Sequence, residues 1–332
     1  MTRENAKSKK IGVLLVNLGS PSAPTTFAVR QFLKEFLWDP RVVNIPRFLW
    51  WVILHFLVLP FRPLKAKKAY QKIWQEKGSP LIFLTQQLVD KVSSQFNNTD
   101  YSIDCVMRYG KPSIRQQLAK YRKNKIEELI VIPLYPQYSS TTTASVYDEV
   151  IKYVMKWWAI PSIRFISEYH QHPLYIEAVV DSIKQFWSNN GRNELLLISF
   201  HGLPEKLTEW GDPYSHQCHQ TAELIAKKLL LSDEQWKIVF QSRFGKAKWL
   251  QPYCIEMLQA LPQQGAKNVD IVCPGFAVDC LETLEEIELE NKNFFLQAGG
   301  QSYYYIPALN DSKKHVELMV ELIRRDKQYE RI

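Results

Sequence analysis

The sequence predicts a two-halved α/β protein, each half a doubly wound, four-stranded parallel sheet flanked by helices. Three observations predict it. Short, nearly all-apolar runs recur along the chain, as strands buried on both faces require. Stretches long enough for crossover helices separate them. The 332 residues suffice for two such units with real cores.

The elements follow in order. Residues 1–10 (MTRENAKSKK) are polar and basic, without the apolar stretch of a signal peptide, and are expected to be disordered. The first half, 11–168, holds strands IGVLLVN (11–17), YSIDCVM (101–107), ELIVIPL (128–134) and SIRFISE (162–168). The second, 169–332, holds ELLLISF (194–200), KIVFQS (237–242), NVDIVCP (268–274) and SYYYIP (302–307). The break falls around SEYHQHPLY, with no repeat clear enough to make the halves homologous. A last helix is expected over 311–330, capped by Asp311 or Ser312.

Composition excludes several classes. Apolar residues make up 46% and charged residues 23%, ordinary for a globular chain. The five cysteines, Cys105, Cys218, Cys254, Cys273 and Cys280, are odd in number and form no CxxC, which argues against a disulfide framework or a cysteine-built metal site and for a reducing cytoplasm. The net charge is +8, but the basic residues are dispersed and no nucleic-acid-binding motif accompanies them, so no nucleic-acid partner is expected. GxGxxG after a strand, GxxxxGK[ST], GxSxG and HExxH are all absent. The run FLWWVILHFLVL (48–59) is too short to span a bilayer and is followed by Arg62, Lys65, Lys67, Lys68 and Lys72. Two readings stand: a buried core helix, or an apolar lip over 48–61 resting on an anionic membrane interface.

In doubly wound sheets ligands sit beyond the carboxyl ends of the strands. The loops NLGSPS, YPQYSSTTTAS, HGLPEK and GFAVDCLETLEEI follow four of the strands and should converge on one cleft. The last runs into DCLETLEEIELE (279–290), six carboxylates in twelve residues with no base. At ~100° per residue, Asp279, Glu282, Glu286 and Glu290 fall within roughly 80° of one another, opposite Cys280, Leu284 and Ile287. A charge run is usually a solvated face. Here no basic residue lies at i+4, like charges repel, and the row starts at a strand end. Such a row raises its own pKa values and can pass protons or attract a divalent cation. His201, ending an apolar strand, would face it, and a His with a Glu suits a borderline metal such as Fe²⁺, held loosely enough to hand on. A competing cluster, His216, Cys218 and His219, matches no standard zinc spacing.

Taken together, SFHGLPEK, GDPYSHQC, FQSRFGKAKWLQPY, PGFAVDCLETLEEI, LLVNLGSP, MRYGKPSI and YPQYSSTTTAS resemble the ferrochelatase family, from about residue 10 to 310 and in order. The resemblance implies a class II chelatase-like pair of Rossmann-like halves that inserts Fe²⁺ into protoporphyrin IX to make protohaem. It implies His201 and Glu282 as the catalytic and metal-contacting pair, and Asp279, Glu286 and Glu290 as a relay for protons or metal. It further implies porphyrin contacts at Leu18, Arg62, Tyr70, Ser79, Arg108, Tyr109 and Trp249. Some members carry a [2Fe–2S] cluster on cysteines this chain lacks; no cysteine follows Cys280, so no cluster and a monomer are expected. The expected location is cytoplasmic, peripheral at the inner face of the cytoplasmic membrane. Alternatives are a same-fold chelatase for another tetrapyrrole, such as coproporphyrin or a cobalt-accepting precursor, and a non-enzymatic haem or porphyrin carrier. A carrier would use His201 as an axial ligand but has no use for an acidic row.

Overall fold

The computed structural model describes residues 9–96, 100–243, 245 and 247–324. Most of the basic segment 1–10 and the end of the expected last helix, 325–330, lie outside them.

The chain runs β1 (Ile11–Asn17), α1 (Thr26–Trp38), α2 (Arg47–Ile53), a π turn (Leu54–Val58), α3 (Leu59–Ile73), α4 (Pro80–Ser94), β2 (Tyr101–Met107), α5 (Ile114–Lys123), β3 (Glu128–Pro133), α6 (Thr143–Val154) and β4 (Ser162–Phe165). It continues α7 (Pro173–Asn190), β5 (Leu195–His201), α8 (Lys206–Glu209), α9 (Tyr214–Lys228), β6 (Trp236–Gln241), α10 (Cys254–Ala260), a 3₁₀ turn (Leu261–Gln264), β7 (Asn268–Val272), a π-helix (Glu282–Asn291), α11 (Lys292–Gln297), β8 (Ser302–Ile306) and α12 (Lys313–Arg324). The sheets are ordered β2-β1-β3-β4 and β6-β5-β7-β8, all parallel. All eight expected strands form. β4 stops at Phe165 rather than 168 because its pairing with β3 ends at Val131↔Phe165.

Strand alternation sorts the core. In β1, Val13 and Leu15 face a large cluster that also takes Leu196, Ile198 and Phe200 of β5, so one apolar layer lies between the sheets. Helices α4, α7, α9 and α12 supply its filling through Leu88, Ile183, Ile225 and Leu318. Leu14 and Val16 face the outer cluster under α5 and α6, and Leu195 and Leu197 face that under α10 and α11. Each strand is therefore buried on both faces, which is why the strands read as unbroken apolar runs.

Arg47–Ile73 is one continuous helical stretch of 27 residues, extended past the apolar run by the cationic segment. By length and composition the whole stretch is long enough to cross a membrane, although the apolar run 48–59 alone is not. It is two-faced. Trp50, Leu54 and Leu59 pack with Val29, Leu33 and Leu37 of α1, and Trp50 Nε1–H donates to Leu37 O at 2.7 Å. Phe48, Trp51, Phe56, Leu57 and Phe61 are exposed, Phe48 at 83% and Phe61 at 69%. The two readings of this run thus divide between its faces, and the adjacent tryptophans go opposite ways.

Ser312 caps α12, its Oγ accepting from His315 N at 3.4 Å. The helix closes the gap between the halves. Arg164 donates to the carbonyls of Leu322 and Ile323, and Lys91 of α4 pairs with Asp311 at 2.5 Å.

Candidate active site

In each sheet the order reverses between its first and third strands, β1/β3 and β5/β7, and the ends of these four strands carry the four loops singled out above. They do converge. Leu18, after β1, belongs to the same apolar cluster as Leu281 and Leu284, after β7. Tyr135, after β3, and Tyr70 of α3 both lie close enough to Glu282 for its charge to add to their raised pKa values, though burial is the larger cause.

His201 is the last residue of β5 and half-buried. Its Nδ1 lies 2.7 Å from Gly202 O. A carbonyl only accepts, so Nδ1 carries the hydrogen and the Nε2 lone pair is left for a metal or a proton. Burial lowers the imidazole pKa, Glu282 pulling the other way, so the neutral ring dominates at pH 7. Gly202 is required here: a Cβ would stand 2.6 Å from Gln241 O and 3.4 Å from the Trp249 ring. Trp249 therefore lies along the His201–Gly202 backbone, its Nε1–H buried and without a hydrogen-bond partner among the described residues.

Glu282 opens the π-helix, and Gln241 Nε2 donates to its carbonyl at 3.4 Å. Glu286 follows one wide turn later, accepting from Ser242 N at 2.8 Å and from Ser242 Oγ. Burial, with Glu282 and Glu290 adding repulsion, raises the Glu286 pKa to about 7. Glu290 is exposed, so Glu282, Glu286 and Glu290 form a row from the cleft to solvent.

The helix read at 100° per residue is corrected in three ways. It is a π-helix, with i→i+5 turns wider than an α-helix. Asp279 does not share the Glu286 face. It is 6% exposed and turned toward β8, accepting from Tyr305 OH at 2.5 Å, Asn310 Nδ2 at 2.8 Å and Thr283 Oγ1 at 3.0 Å, whereas Glu286 is held beside the end of β6. Cys280 is not opposite the acids; its buried thiol, its pKa pushed far up by burial, sits beside the Glu282 carboxylate. The missing basic partner comes from a distance: Lys72 of α3 pairs with Glu285 at 2.6 Å, an interaction no local pattern reveals.

The remaining expected residues divide. Tyr70 is buried near Glu282 and Ser79 is buried at the start of α4. Arg62 lies half-buried on α3, with burial lowering its pKa. Arg108 and Tyr109, implied as porphyrin contacts, place their polar groups in an internal network. Asp39 Oδ2 accepts from Arg108 at 2.5 Å, Tyr109 OH at 2.8 Å and Ser145 Oγ at 2.6 Å. Cys218 of the HQCH cluster is buried, and among the described residues no group of three or more His, Cys, Asp or Glu is placed to hold a metal. Sequence reasoning missed Tyr135, Gln241 and Ser242; each follows or ends a strand, which was the available signal.

The family model described as Ferrochelatase matches residues 10–327. A ferrochelatase from Methylococcus capsulatus is 53% identical over 314 residues, covering 95% of this chain and 96% of that protein. One from Nitrosococcus oceani is 48% identical over 318 residues, covering 95% and 86%. Among solved structures, SirB from Bacillus subtilis with Fe³⁺ superposes with a TM-score of 0.56 at 12% identity, covering 97% of this chain and 98% of that one. CbiX, the terminal enzyme for biosynthesis of siroheme in denitrifying bacteria, gives 0.52 at 13%, covering 95% and 99%. At such identities these two speak for the fold alone.

Proposed function

The chain belongs to the ferrochelatase family, and from that premise we propose how its cleft works. It is an enzyme that inserts Fe²⁺ into protoporphyrin IX, giving protohaem and two protons, the final step of haem biosynthesis. The observation that carries the site assignment is the pairing of His201, with its Nε2 lone pair available, and Glu282 at the mouth of the π-helix.

A flat porphyrin keeps its nitrogen lone pairs in the ring plane, and two of its nitrogens carry protons. Metal enters from one face while two protons leave. A cleft that bends the ring tilts the lone pairs outward, and strain of ~1–5 kcal/mol is within reach of binding energy. His201 and Glu282 stand over the ring centre and take the protons or guide Fe²⁺. Glu286, whose pKa of about 7 lets it both hold and release a proton near neutrality, passes charge on to Glu290 and solvent. Leu18, Tyr70, Ser79 and Trp249 line the porphyrin, and Arg62 serves a propionate.

Fe²⁺ is substrate rather than resident cofactor. The dispersed spacing of the five cysteines, with no CxxC pair, supports a chain without an iron–sulfur cluster. We place the enzyme in the cytoplasm as a monomer resting on the inner membrane face. The exposed row Phe48, Trp51, Phe56, Leu57 and Phe61 supports this, since apolar side chains on one helix suit shallow burial at the interface. The opposite face, packed on α1, favours lying on the membrane over crossing it.

Loss of free-base fluorescence reports insertion. His201→Ala and Glu282→Gln should each lower the insertion rate at least ~100-fold while porphyrin still binds. Unchanged rates in both would refute the pair. Fe²⁺ entering coproporphyrin but never protoporphyrin would refute the substrate.

A further inference from the structure

Asp279 is the one member of the acidic segment whose carboxylate is fully enclosed by hydrogen-bond donors. Oδ1 accepts from Tyr305 OH at 2.5 Å, Thr283 Oγ1 at 3.0 Å and Ala308 N at 3.3 Å. Oδ2 accepts from Asn310 Nδ2 at 2.8 Å, and the Asp279 N–H returns a bond to Asn310 Oδ1 at 2.9 Å. Asp279 and Asn310 thus form a two-bond pair in which every polar group is matched. Thr283 Oγ1 in turn accepts from Cys280 N at 3.0 Å. That clasp closes the first turn of the segment on both sides of Glu282.

Asn310 is itself held in place. Its φ of +48° lies in the left-handed region, which asparagine tolerates better than most residues. Its N–H donates to Ala277 O at 3.0 Å, and its carbonyl accepts from His315 Nδ1 at 2.6 Å. His315 lies in α12, and the neighbouring Asp311 is tied to α4 of the other half by Lys91. A continuous set of bonds therefore runs from the helix that closes the two halves, through Asn310 and Asp279, to the residues flanking Glu282.

We propose that Asp279 is a positioning residue rather than a member of the charge relay, and that the Asp279–Asn310 pair, backed by Tyr305 and His315, fixes Glu282 over the metal-insertion site. This deepens the assignment of Glu282 above and rests on it. A relay group needs an open neighbour to receive its proton. The donors around Asp279 occupy both its oxygens and come from β8, the following loop and Thr283, not from the Ser242 side on which Glu286 is held. A positioning group needs what Asp279 has, a full and rigid set of partners. Residues that orient a metal-contacting side chain typically cost 10–100-fold in activity when altered.

The experiment exchanges the pair. Asp279→Asn alone sets two amide groups donor to donor against Asn310 and should lower kcat about tenfold or more, with KM for protoporphyrin within about twofold. Asn310→Asp alone sets two carboxylates together and should do the same. The double variant Asp279→Asn/Asn310→Asp restores both bonds, the side-chain one with donor and acceptor reversed and the other still donated by the backbone N–H of residue 279, and should recover most of the lost kcat although position 279 can no longer ionise. Asn310→Gly keeps the left-handed backbone and its two backbone bonds. It also removes the partners of the Asp279 N–H and Oδ2 and so lowers the melting temperature, so kcat is read well below that temperature, where it should still be reduced. If the exchange leaves kcat as low as Asp279→Asn alone, the ionisable group at 279 is needed and the proposal is overturned. Equally, Asn310→Gly retaining full kcat would overturn it. Glu282→Gln is measured alongside: normal insertion in that variant means the active-site assignment has failed, whereas loss of insertion with a failed exchange condemns only the positioning role.

Discussion

At the scale of single residues, the cleft is built from groups whose protonation is set by burial. His201 is kept neutral and Glu286 is kept half-protonated near pH 7. The second has a consequence for stability. Its folded pKa of about 7 exceeds the ordinary glutamate value of 4.5, so the fold favours the protonated form. The associated stability is fully present below about pH 4.5 and is lost as pH rises through 7. Glu286→Gln cannot ionise. It should therefore stabilise the fold more at pH 8 than at pH 5, by a difference of about 1–3 kcal/mol after allowing for partial exposure, and raise the melting temperature accordingly. The same variant should lower kcat for insertion, since glutamine cannot accept a proton. Thermal melts at the two pH values check the first part; an equal effect at both would mean Glu286 titrates normally. His201 and Glu282 were legible from sequence because each sits where a strand end meets a ligand loop. The partners of Asp279 were not, because Tyr305 and Asn310 join it only once β8 is laid beside β7.

At the scale of elements, two helices contain π segments, and one of them carries Glu282 and Glu286. The carboxylate spacing 282, 286, 290 keeps one face in an α-helix and nearly so in a wider one, so the residues alone do not choose between them. Tertiary bonds accompany the choice: Thr283 to Asp279 at its start, and Tyr303 OH to Ile287 O at 2.7 Å in its middle. The eight strands, by contrast, were legible because burial on both faces leaves no ambiguity of period. The helical stretch Arg47–Ile73 shows a third situation, since neighbouring residues on a helix point about 100° apart. Trp50 faces α1 and Trp51 faces out. Trp50→Ser should then destabilise the fold by roughly 3–5 kcal/mol, as removal of a buried Trp does. Ser at Trp51, Phe56 and Phe61 together should leave the melting temperature nearly unchanged yet weaken sedimentation with anionic liposomes. Undiminished liposome binding by the triple variant would exclude this face as the membrane contact.

At the scale of the whole molecule, the cleft exists only while two sheets hold their carboxyl ends together, and the bonds that hold them cluster beside it. Gln217 Oε1 accepts from Tyr138 N at 2.7 Å, and Gln137 Nε2 donates to Thr221 Oγ1 at 3.0 Å. Asp212 is the densest of these joints. It accepts from Ser140 N at 2.7 Å and Ser139 Oγ at 3.1 Å in the first half, and from Tyr214 N at 3.0 Å in its own. The loop YPQYSSTTTAS is thus pinned to GDPY, and Tyr214 OH in turn donates to the carbonyl of His201 at 3.0 Å. The apolar layer between the sheets is one cluster fed by both halves. Neither half therefore has a complete core alone, although each has its own four strands. Unfolding in urea should be a single transition, with tryptophan fluorescence and far-ultraviolet circular dichroism superimposing. Asp212→Ala removes the acceptor of the half-buried Ser140 N–H and of the buried Ser139 hydroxyl. It should cost about 1–3 kcal/mol and move that single transition to lower urea without splitting it. Two separated transitions, in the native chain or in Asp212→Ala, would mean that the halves fold as independent domains and that the cleft is a joint between them rather than a product of one shared core.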